Sequence, residues 1–370
     1  MLRERVNMID IKRELADIGG EIKEAIAASL EDTIFIKGPR VKEFEKNAAL
    51  FLGVKHAIGV ANGTDALHLA LRAIGVREGD EVITTAFTFF ATAEACAYIG
   101  AKPVFADIDI DSMNINPALI EKLITKKTKA ILPVHIFGCP ADMTSIMNIA
   151  EKHKLLVLED CAQSFGALTD GIKTGAFGTA GAISFYPTKN LGAYGDAGMV
   201  VTNDDTAAEL CRKYSEHGCS ERYYHEMIGY NSRLDDIQAA VLNVKLRHID
   251  RFNTERRRKA AHYIKNLGDA VLCQRTPGNA YHVYHQFTVR VKNREEVIKA
   301  LSDANAASSV FYPVPCHLQN AMKYLGYKKG DLPLTEMLSE QVLSLPINPY
   351  ITDGEINEIS NIVKSVAESA

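Results

Sequence analysis

Residues 181–203 read GAISFYPTKNLGAYGDAGMVVTN, and both the fold and the chemistry can be approached from this stretch. Its two ends, 181–186 and 198–203, are apolar runs of the kind that forms buried β-strands. The loop between them is punctuated by glycines and carries a single lysine, Lys189. Most lysines are solvated surface charges, so Lys189 acquires a function only if its surroundings provide one.

Similar apolar runs occur upstream, and helical patterns separate them. The candidate strands are residues 56–61, 80–86, 102–108, 129–136, 155–161, 181–186 and 198–203. Near-continuous apolar strands that alternate with helices are typical of a mostly parallel sheet covered on both faces. The sequence therefore predicts an α/β fold in which a mostly parallel seven-stranded sheet lies between helices. Ligands of such sheets bind at the carboxyl ends of the strands.

The segments around this sheet predict further parts of the chain. Apolar residues at helical spacing predict a helix near residues 9–30 and a long helix over 234–267. After the long helix, strands are expected over 282–291 and 307–314, with helices between and after them. The predicted parts are an N-terminal helical segment (1–35), a large domain (36–247) and a smaller C-terminal α+β domain (248–370).

Composition and charge limit the kinds of partner. Among 370 residues the formal net charge is -4, so no strong basic field favours nucleic acid or an anionic membrane. The seven cysteines are widely spaced without a CxxC pair, which favours reduced thiols over a disulfide framework or a zinc site. No apolar run approaches the length of a signal peptide or a membrane span. We expect a cytoplasmic protein that binds neither nucleic acid nor membrane.

Two polar groups follow predicted strands upstream of Lys189. Residues 62–67, NGTDAL, place a glycine and a threonine hydroxyl at a helix start, which suits a phosphate but also fits an ordinary helix cap. Asp160 follows the strand 155–161 and needs a cationic partner at the sheet edge. A metal or an organic cation would serve, and the organic cation is at least as plausible because no cluster of metal ligands lies nearby in the sequence.

A phosphate cradle, a carboxylate and a lysine are the groups that pyridoxal 5'-phosphate (PLP) requires at separate points of one cleft. The carboxylate of Asp160 would keep the pyridine nitrogen protonated, and Lys189 would form a Schiff base. Burial and the cationic cofactor should lower the pKa of Lys189 towards that of a proton shuttle. Phe89, after the second strand, is expected to stack on the ring, although a plain core role fits it equally well.

With these groups in place, the chain resembles the DegT/DnrJ/EryC1/StrS sugar aminotransferases, a branch of the fold type I PLP enzymes. The resemblance spans nearly the whole chain in long blocks that occur in order. The blocks are GPR, NGTDAL, GDEVITTAFTFFAT, PVHIFG, EDCAQSFGA, SFYPTKNLGAYGDAG, GYNSRLDDIQAAVL, YPVPCHLQ and LSLPINP.

The resemblance implies a role for each matching residue. Implied cofactor contacts are Lys189 as the Schiff-base lysine, Asp160 on the pyridine nitrogen, Gln163 on the ring hydroxyl, and Gly63, Thr64 and Ser184 on the phosphate. Asn231 would bind the phosphate of the other subunit, so the loop 218–233 would cross a homodimer interface and the active sites would be shared. From the residues alone, a solvated loop remains an alternative for 218–233.

The resemblance also implies the reaction. Sugar dehydratases of the family carry histidine at the lysine position, so Lys189 favours transamination. L-Glutamate would give its nitrogen to the cofactor, and the resulting pyridoxamine 5'-phosphate would aminate a keto-sugar nucleotide. Arg233, Tyr312 and His317 are the expected substrate ligands, Arg233 for the diphosphate. A strand-end tyrosine and a structural histidine are the alternatives for Tyr312 and His317.

Two segments resemble those of family members that aminate carbon 3 of a keto-sugar nucleotide. These segments are residues 222–233 and 311–319. We expect a UDP-linked 3-keto-N-acetylhexosamine as the substrate, giving an amino sugar for a surface polysaccharide, lipopolysaccharide or glycosylated metabolite. The alternatives are a dTDP-linked 3-keto-6-deoxyhexose and a 4-keto sugar. A PLP-binding regulator without turnover is a candidate of another class. A nucleotide-dependent oxidoreductase is disfavoured, because no GxGxxG turn follows the first strand.

Overall fold

A computed structural model describes residue 2 and residues 4–368. Met1, Arg3 and the last two residues, which belong to the predicted terminal parts, lie outside the described residues. The α-helices are α1 (Ile11–Asp32), α2 (Pro39–Leu52), α3 (Gly63–Ala73), α4 (Ala91–Tyr98), α5 (Met143–His153), α6 (Asp205–Ser215), α7 (Asp236–Leu267), α8 (Arg294–Asp303), α9 (Pro333–Gln341) and α10 (Asp353–Ala367). In this part of the chain, no helix has the length and apolar character needed to cross a bilayer.

The strands form one large sheet and several small ones. They are β1 (His56–Val60), β2 (Glu81–Thr85), β3 (Lys102–Ala106), β4 (Thr128–Leu132), β5 (Leu156–Asp160), β6 (Leu168–Thr169), β7 (Ile172–Lys173), β8 (Ala180–Ser184), β9 (Gly198–Thr202), β10 (Cys219–Glu221), β11 (Tyr224–His225), β12 (Leu272–Cys273), β13 (Phe287–Arg290) and β14 (Val342–Leu345).

The large sheet confirms the predicted α/β architecture. It has seven strands in the order β1-β9-β8-β5-β4-β2-β3, and each predicted strand forms part of it. Only β9 runs antiparallel to its neighbours, β1 and β8. The other neighbouring pairs are parallel. The carboxyl ends of β1, β2, β5 and β8 therefore meet at one edge, as in other open α/β sheets.

Apolar side chains bury both faces of this sheet. On one face, α3 packs against β8 and β9 through a core that includes Leu69 and Leu71. On the other face, Phe44 of α2 contacts Phe185 at a ring-centroid distance of 5.2 Å, within a core that also contains Leu242 of α7. Because both faces are covered by helices, the strands read as apolar runs, and polar residues collect where the strands end.

The N-terminal helix reaches the loop that carries Lys189. α1 packs along α7, and the Glu14 carboxylate lies 2.8 Å from the Nζ atom of Lys245. The same ammonium donates a hydrogen bond of 2.8 Å to the carbonyl of Gly192. Burial lowers the pKa of Lys245, and the Glu14 carboxylate opposes this shift. α7 continues without a break through residue 248, and the domain boundary placed there stays a prediction.

The C-terminal part corrects two predicted strands. Its three-stranded sheet has the order β12-β13-β14, and Tyr263 of α7 stacks on Phe287 at 4.8 Å. The strand predicted over 282–291 forms only in β13, because the preceding residues instead bond to Phe137 and Gly138. The strand predicted over 307–314 is wrong. There Ser309 makes an isolated bridge, while Val310, Phe311 and Tyr312 pack against an apolar cluster that includes Phe87 and Phe137.

Candidate active site

Asp160 ends β5 and is 4% exposed. Its Oδ2 atom accepts a hydrogen bond of 2.8 Å from the Thr92 hydroxyl, and its Oδ1 atom accepts one of 3.1 Å from the backbone N–H of Ala162. Burial raises the pKa of the carboxyl group, and the bond from Thr92 opposes this. Among the described residues, no lysine or arginine forms an ion pair with Asp160. A cation bound beside it would therefore stabilise the ionised carboxylate.

Lys189 lies in the loop between β8 and β9, at the same edge of the sheet. Its backbone N–H donates a hydrogen bond of 2.8 Å to the carbonyl of Tyr186. Burial lowers the pKa of its amine to about 8, although the charge of Asp160 raises it in part. At pH 7 about a tenth of the amine is therefore unprotonated, far more than for an ordinary lysine, and a nucleophile and proton shuttle requires this form.

The start of α3 forms a narrow cradle against the end of β8. Asn62 caps the helix by accepting a hydrogen bond of 2.8 Å from the backbone N–H of Asp65. A Cβ atom on Gly63 would lie 2.6 Å from the Cβ atom of Ser184, so only glycine fits between the helix and the strand. The first backbone N–H groups of the helix, near Thr64, and the Ser184 hydroxyl can therefore approach an anion together.

Gln163, Tyr312 and Phe89 form a third group near this edge. The side-chain oxygen of Gln163 accepts a hydrogen bond of 2.6 Å from the backbone N–H of Phe137. Its amide nitrogen donates one of 2.9 Å to the Tyr312 hydroxyl. The Tyr312 ring lies 6.1 Å from that of Phe89, which is 57% exposed. The exposure of Phe89 leaves a ring face available for stacking, whereas a core phenylalanine would be enclosed.

The three remaining predicted residues lie elsewhere in the single chain. Asn231 is exposed, and its backbone pairs with Glu216. The Arg233 guanidinium lies 3.9 Å from the Glu216 carboxylate. His317 is buried, with its Nε2 atom 3.1 Å from Glu336. Within the described chain, none of these three side chains hydrogen-bonds to Lys189 or Asp160.

Glu159, His135 and Cys161 form a compact group that resembles a metal site in composition. The Glu159 carboxylate, however, already accepts hydrogen bonds from His135 and from the backbone N–H groups of Gly175, Phe177 and Gly178. Burial raises the pKa of the Cys161 thiol well above its ordinary value, which disfavours a thiolate ligand. The group therefore anchors β5 immediately behind Asp160.

Thr92 is a functional residue that the sequence did not reveal. It follows Phe89 in the first turn of α4, and its hydroxyl also lies 2.9 Å from that of Thr88. Because Thr92 already donates to Asp160, the Thr88 hydroxyl donates to Thr92. The two threonines thus orient the carboxylate. Their role depends on the first turn of α4 lying beside the end of β5, which no spacing in the sequence indicates.

The arrangement at this edge fits PLP. The cradle can hold the phosphate, the buried carboxylate can pair with a protonated ring nitrogen, and the lysine amine can attack an aldehyde. When bound, PLP supplies an electron sink for the pair left by a broken C–H bond. The chain's own contribution would be to orient the ring through Asp160 and Gln163 and to accept and return the proton at Lys189 Nζ.

The Gly63→Ala substitution tests the cradle. The added methyl group would lie within contact distance of Ser184, so we expect PLP to bind about 10- to 100-fold more weakly, by the free energy of a typical overpacking. Absorbance titration of the cofactor-free chain measures the affinity. Gly20→Ala is the matched control, because a Cβ atom there meets nothing within 4 Å. Equal PLP affinity in Gly63→Ala and the wild type would refute the cradle.

Comparison with known proteins agrees with this geometry. Residues 16–364 match the DegT/DnrJ/EryC1/StrS aminotransferase family. A "pleiotropic regulatory protein" of Geobacillus stearothermophilus is 47% identical, covering 98% of both chains. A UDP-N-acetyl-3-dehydro-alpha-D-glucosamine 3-aminotransferase of Acidithiobacillus ferrooxidans is 43% identical, covering 97% of both.

A crystal structure of DesV from S. venezuelae, in complex with a ketimine intermediate, is similar over 99% of both chains, with a TM-score of 0.96 and 39% identity. The sequence match, the sheet topology and the shared chain length all point to one group of enzymes. The protein belongs to the DegT/DnrJ/EryC1/StrS aminotransferase family and is a PLP-dependent sugar aminotransferase of fold type I.

Proposed function

We propose that the enzyme transfers the amino group of L-glutamate to carbon 3 of a UDP-linked 3-keto-N-acetylhexosamine. The observation that carries this assignment is the similarity to the Acidithiobacillus enzyme, whose name specifies this class of sugar and this carbon. A similar protein of Streptomyces venezuelae is named as a dTDP-3-amino-3,4,6-trideoxy-alpha-D-glucose transaminase. Both names specify carbon 3, which favours carbon 3 over carbon 4, and a dTDP-linked 3-keto-6-deoxyhexose is the second candidate.

In this proposal Lys189 would bind PLP covalently through its amine, and the same amine would move the proton at the reacting carbon. Asp160 pairs with the ring nitrogen, Gln163 bonds to the ring hydroxyl, and Phe89 covers one face of the ring. The phosphate lies in the cradle of Gly63, Thr64 and Ser184. The lowered pKa of Lys189 and the burial of Asp160 support these roles, because each group is in the environment its task requires.

Tyr312 is the proposed contact to the hexose, since its hydroxyl lies at Gln163 and its ring beside Phe89. For His317 we propose an indirect contribution to sugar binding. Its Nε2 atom is engaged by Glu336 and its side chain is enclosed, so it would act on the sugar only through its neighbours. The turn that holds it is tied to the loop after β2 by the bond from the Cys316 N–H to the Ala86 carbonyl, 2.9 Å long.

We further propose that the active enzyme is a homodimer and that Asn231 and Arg233 complete the site of the partner. Phe35 and Ile36 are both more than 40% exposed, and Ile36 pairs with Asp235, two positions after Arg233. Ile228, which precedes Asn231, is 83% exposed. Apolar side chains this exposed around a polar loop are typical of a surface that a second subunit covers.

A cationic depression of about 1080 Å³ adjoins this loop and suits the diphosphate of the sugar nucleotide. It is lined by basic residues from several elements, together with three glutamates. The basic residues are Lys37, Arg212, Lys213, His217, Arg222, His225 and Arg233. In a dimer this surface would face the partner, so that Arg233 acts on the substrate of the neighbouring site.

Mixed dimers test the sharing of sites. Neither Lys189→Ala nor Asn231→Ala homodimers should transfer amine efficiently, because each site lacks one required group. A dimer with one protomer of each kind contains one intact site and should recover about half of the wild-type activity. Activity is measured on mixed dimers purified through two different affinity tags. If purified mixed dimers remain as inactive as the homodimers, Asn231 does not act across the interface.

The reverse reaction tests the substrate assignment. The enzyme is offered 2-oxoglutarate with UDP- and dTDP-linked sugars that carry an amine at carbon 3 or carbon 4, and glutamate formation is followed. We expect consumption of the UDP-linked 3-amino-N-acetylhexosamine, and none with Lys189→Ala. Preference for a dTDP-linked or 4-amino sugar would overturn the assignment.

The name of the Geobacillus relative favours a PLP-binding regulator as a second class. A cofactor spectrum without turnover of any sugar in the panel would support that class.

A further inference from the structure

The residue directly after Lys189 is held by a buried relay of side chains. The Asn190 amide nitrogen donates to the Asn253 side-chain oxygen at 2.8 Å and to the Val283 carbonyl at 3.0 Å. The Asn253 amide nitrogen in turn donates to the Phe165 carbonyl at 3.1 Å. The relay therefore connects the lysine loop with α7 and with the segment that leads into β13.

This relay fixes the tautomer of His285. Backbone carbonyls can only accept hydrogen bonds, so both asparagines turn their amide nitrogens towards them. The oxygen of Asn190 is then left for the Nδ1 atom of His285, at 3.3 Å, and this atom must carry the proton. His285 is consequently a neutral imidazole whose Nε2 atom presents a lone pair.

The Nε2 atom has no hydrogen-bond partner among the described residues, and it is not one of the fully enclosed polar atoms. His285 is only 5% exposed, so this atom is accessible but nearly enclosed. The backbone of His285 lies beside that of Gln163, because a Cβ atom on Gly138 would be 3.0 Å from both His285 N and the Gln163 carbonyl oxygen. An acceptor without a donor thus lies next to a proposed cofactor ligand.

Two cations act on His285, and Lys189 is the one whose side chain can move towards it. Burial together with the charges of Lys189 and Arg256 holds the pKa of His285 well below its ordinary value. Arg256 is held in place, since its guanidinium donates through one nitrogen to the carbonyls of Tyr284 and Ile347. Its buried Nε atom has no partner among the described residues, so it does not bond to His285 in this position. In the described chain, the Lys189 side chain has no hydrogen-bond partner and is the donor that can move.

We propose that His285 is a positioning residue for Lys189, and that its Nε2 lone pair accepts a hydrogen bond from the protonated lysine amine. The inference rests on the proton-shuttle role proposed above for Lys189. When Lys189 takes the proton from the reacting carbon, the C–H pair passes to the cofactor and a new N–H bond forms. His285 holds the resulting ammonium in place without removing its proton, so the proton can be returned to carbon.

Two substitutions separate this role from the relay itself. In His285→Asn, an amide nitrogen near the position of Nδ1 can still donate to Asn190, but the acceptor at Nε2 is lost. In His285→Gln, an oxygen near the position of Nε2 can accept, but the donor to Asn190 is lost. His285 is uncharged in the wild type, so neither change alters the charge near Lys189. The charged groups around this lysine, Asp160, Asp10, Glu14 and Arg256, are the same in all variants.

The readout is the pKa of the Lys189 amine, from the pH dependence of trace acetylation followed by peptide mass spectrometry. The full chain is used with pyridoxamine 5'-phosphate bound and also without cofactor. We expect His285→Asn to lower this pKa by about one unit, which makes acetylation about tenfold faster below the pKa. His285→Gln should stay close to the wild type. An unchanged pKa in His285→Asn, or a larger shift in His285→Gln, would overturn the proposal.

His282→Asn is the control, because both nitrogens of this buried ring are engaged, by Gln274 and by the N–H of Tyr284. It should leave the pKa of Lys189 unchanged, and thermal unfolding shows whether each variant is folded.

A second test uses the wild-type chain and needs no variant. ¹⁵N NMR should show His285 protonated at Nδ1, and a proton at Nε2 would contradict the proposal. Neither readout requires turnover, so failure to aminate any sugar would remove the proposed function and leave these outcomes interpretable.

Discussion

Replacing Lys189 with alanine should reduce amine transfer by about 10⁴-fold or more, because both the nucleophile and the proton shuttle are lost. The chain should fold as before, since the loop is held by backbone bonds such as that from the Ala193 N–H to the Phe185 carbonyl. Steady-state formation of 2-oxoglutarate from glutamate measures the loss. The absorption band of the Schiff base should disappear in the same variant.

Lys299→Ala is the matched control for this substitution. Lys299 is 78% exposed and, among residues 2 and 4–368, pairs only with Asp303 one turn along α8, so its loss should leave amine transfer unchanged. Lys189→Arg is a second test variant, because it retains a positive charge but cannot form the Schiff base. Substantial transfer by either Lys189 variant would mean that another residue carries the chemistry.

The Asp160→Asn substitution should lower kcat by about 10³-fold, since a neutral amide cannot keep the pyridine nitrogen protonated. The geometry should survive, because the asparagine oxygen can accept from Ala162 and its nitrogen can donate to the Thr92 hydroxyl. PLP should still react with Lys189. Glutamate half-reactions, followed by absorbance in a stopped-flow instrument, separate loss of proton transfer from loss of cofactor binding.

Stability provides an independent check on Asp160. Its pKa is raised in the folded chain, so the folded state binds this proton more tightly than the unfolded state. Below a pH of about 4, the pKa of this carboxyl in the unfolded chain, its protonated form contributes its full stability to the folded chain. This contribution is lost as the pH rises through the higher pKa that the carboxyl has in the folded chain. Without cofactor, Asp160→Asn should therefore gain stability relative to the wild type as pH rises above about 4. A difference that is independent of pH would show that Asp160 is not strained by burial.

Asp111→Asn provides the baseline for these unfolding measurements. Asp111 is 60% exposed, and its contact to Arg275 is 3.9 Å long, so its replacement should change stability little at any pH. A trend that appears in Asp160→Asn and not in Asp111→Asn belongs to the buried site. If both variants follow the same trend, the effect reflects net charge instead.

The sequence predicted the large sheet, and it also predicted the positions of Lys189 and Asp160 at the edge of that sheet. The same physical rule, the burial of parallel strands, governs the sheet and these two positions. Buried parallel strands read as apolar runs, and a polar residue that ends such a run must lie at the sheet edge. The C-terminal part was harder to predict. Residues 307–314 have strand-like composition, but Val310 and Phe311 pack against the apolar cluster that includes Phe87 and Phe137. The strand β14 instead forms in the block LSLPINP and its preceding residues.

The contacts that orient the site were not predictable from spacing. Thr92 bonds to Asp160 across 68 positions of sequence, and His285 bonds to Asn190 across 95. Asn231 and Arg233 illustrate another limit, since a single chain leaves both near Glu216. Patterns along one sequence report local structure well. They do not report which distant side chains fold together, or which surface a second subunit covers.

Borohydride reduction of the PLP-loaded enzyme tests the central claim most directly. Reduction fixes PLP covalently to the lysine that holds it, and peptide mass spectrometry then identifies that residue. The site described here predicts a single pyridoxyl group on the peptide that contains Lys189, and none in the Lys189→Ala variant. Modification of a different lysine, or no modification in enzyme saturated with PLP, would contradict the account.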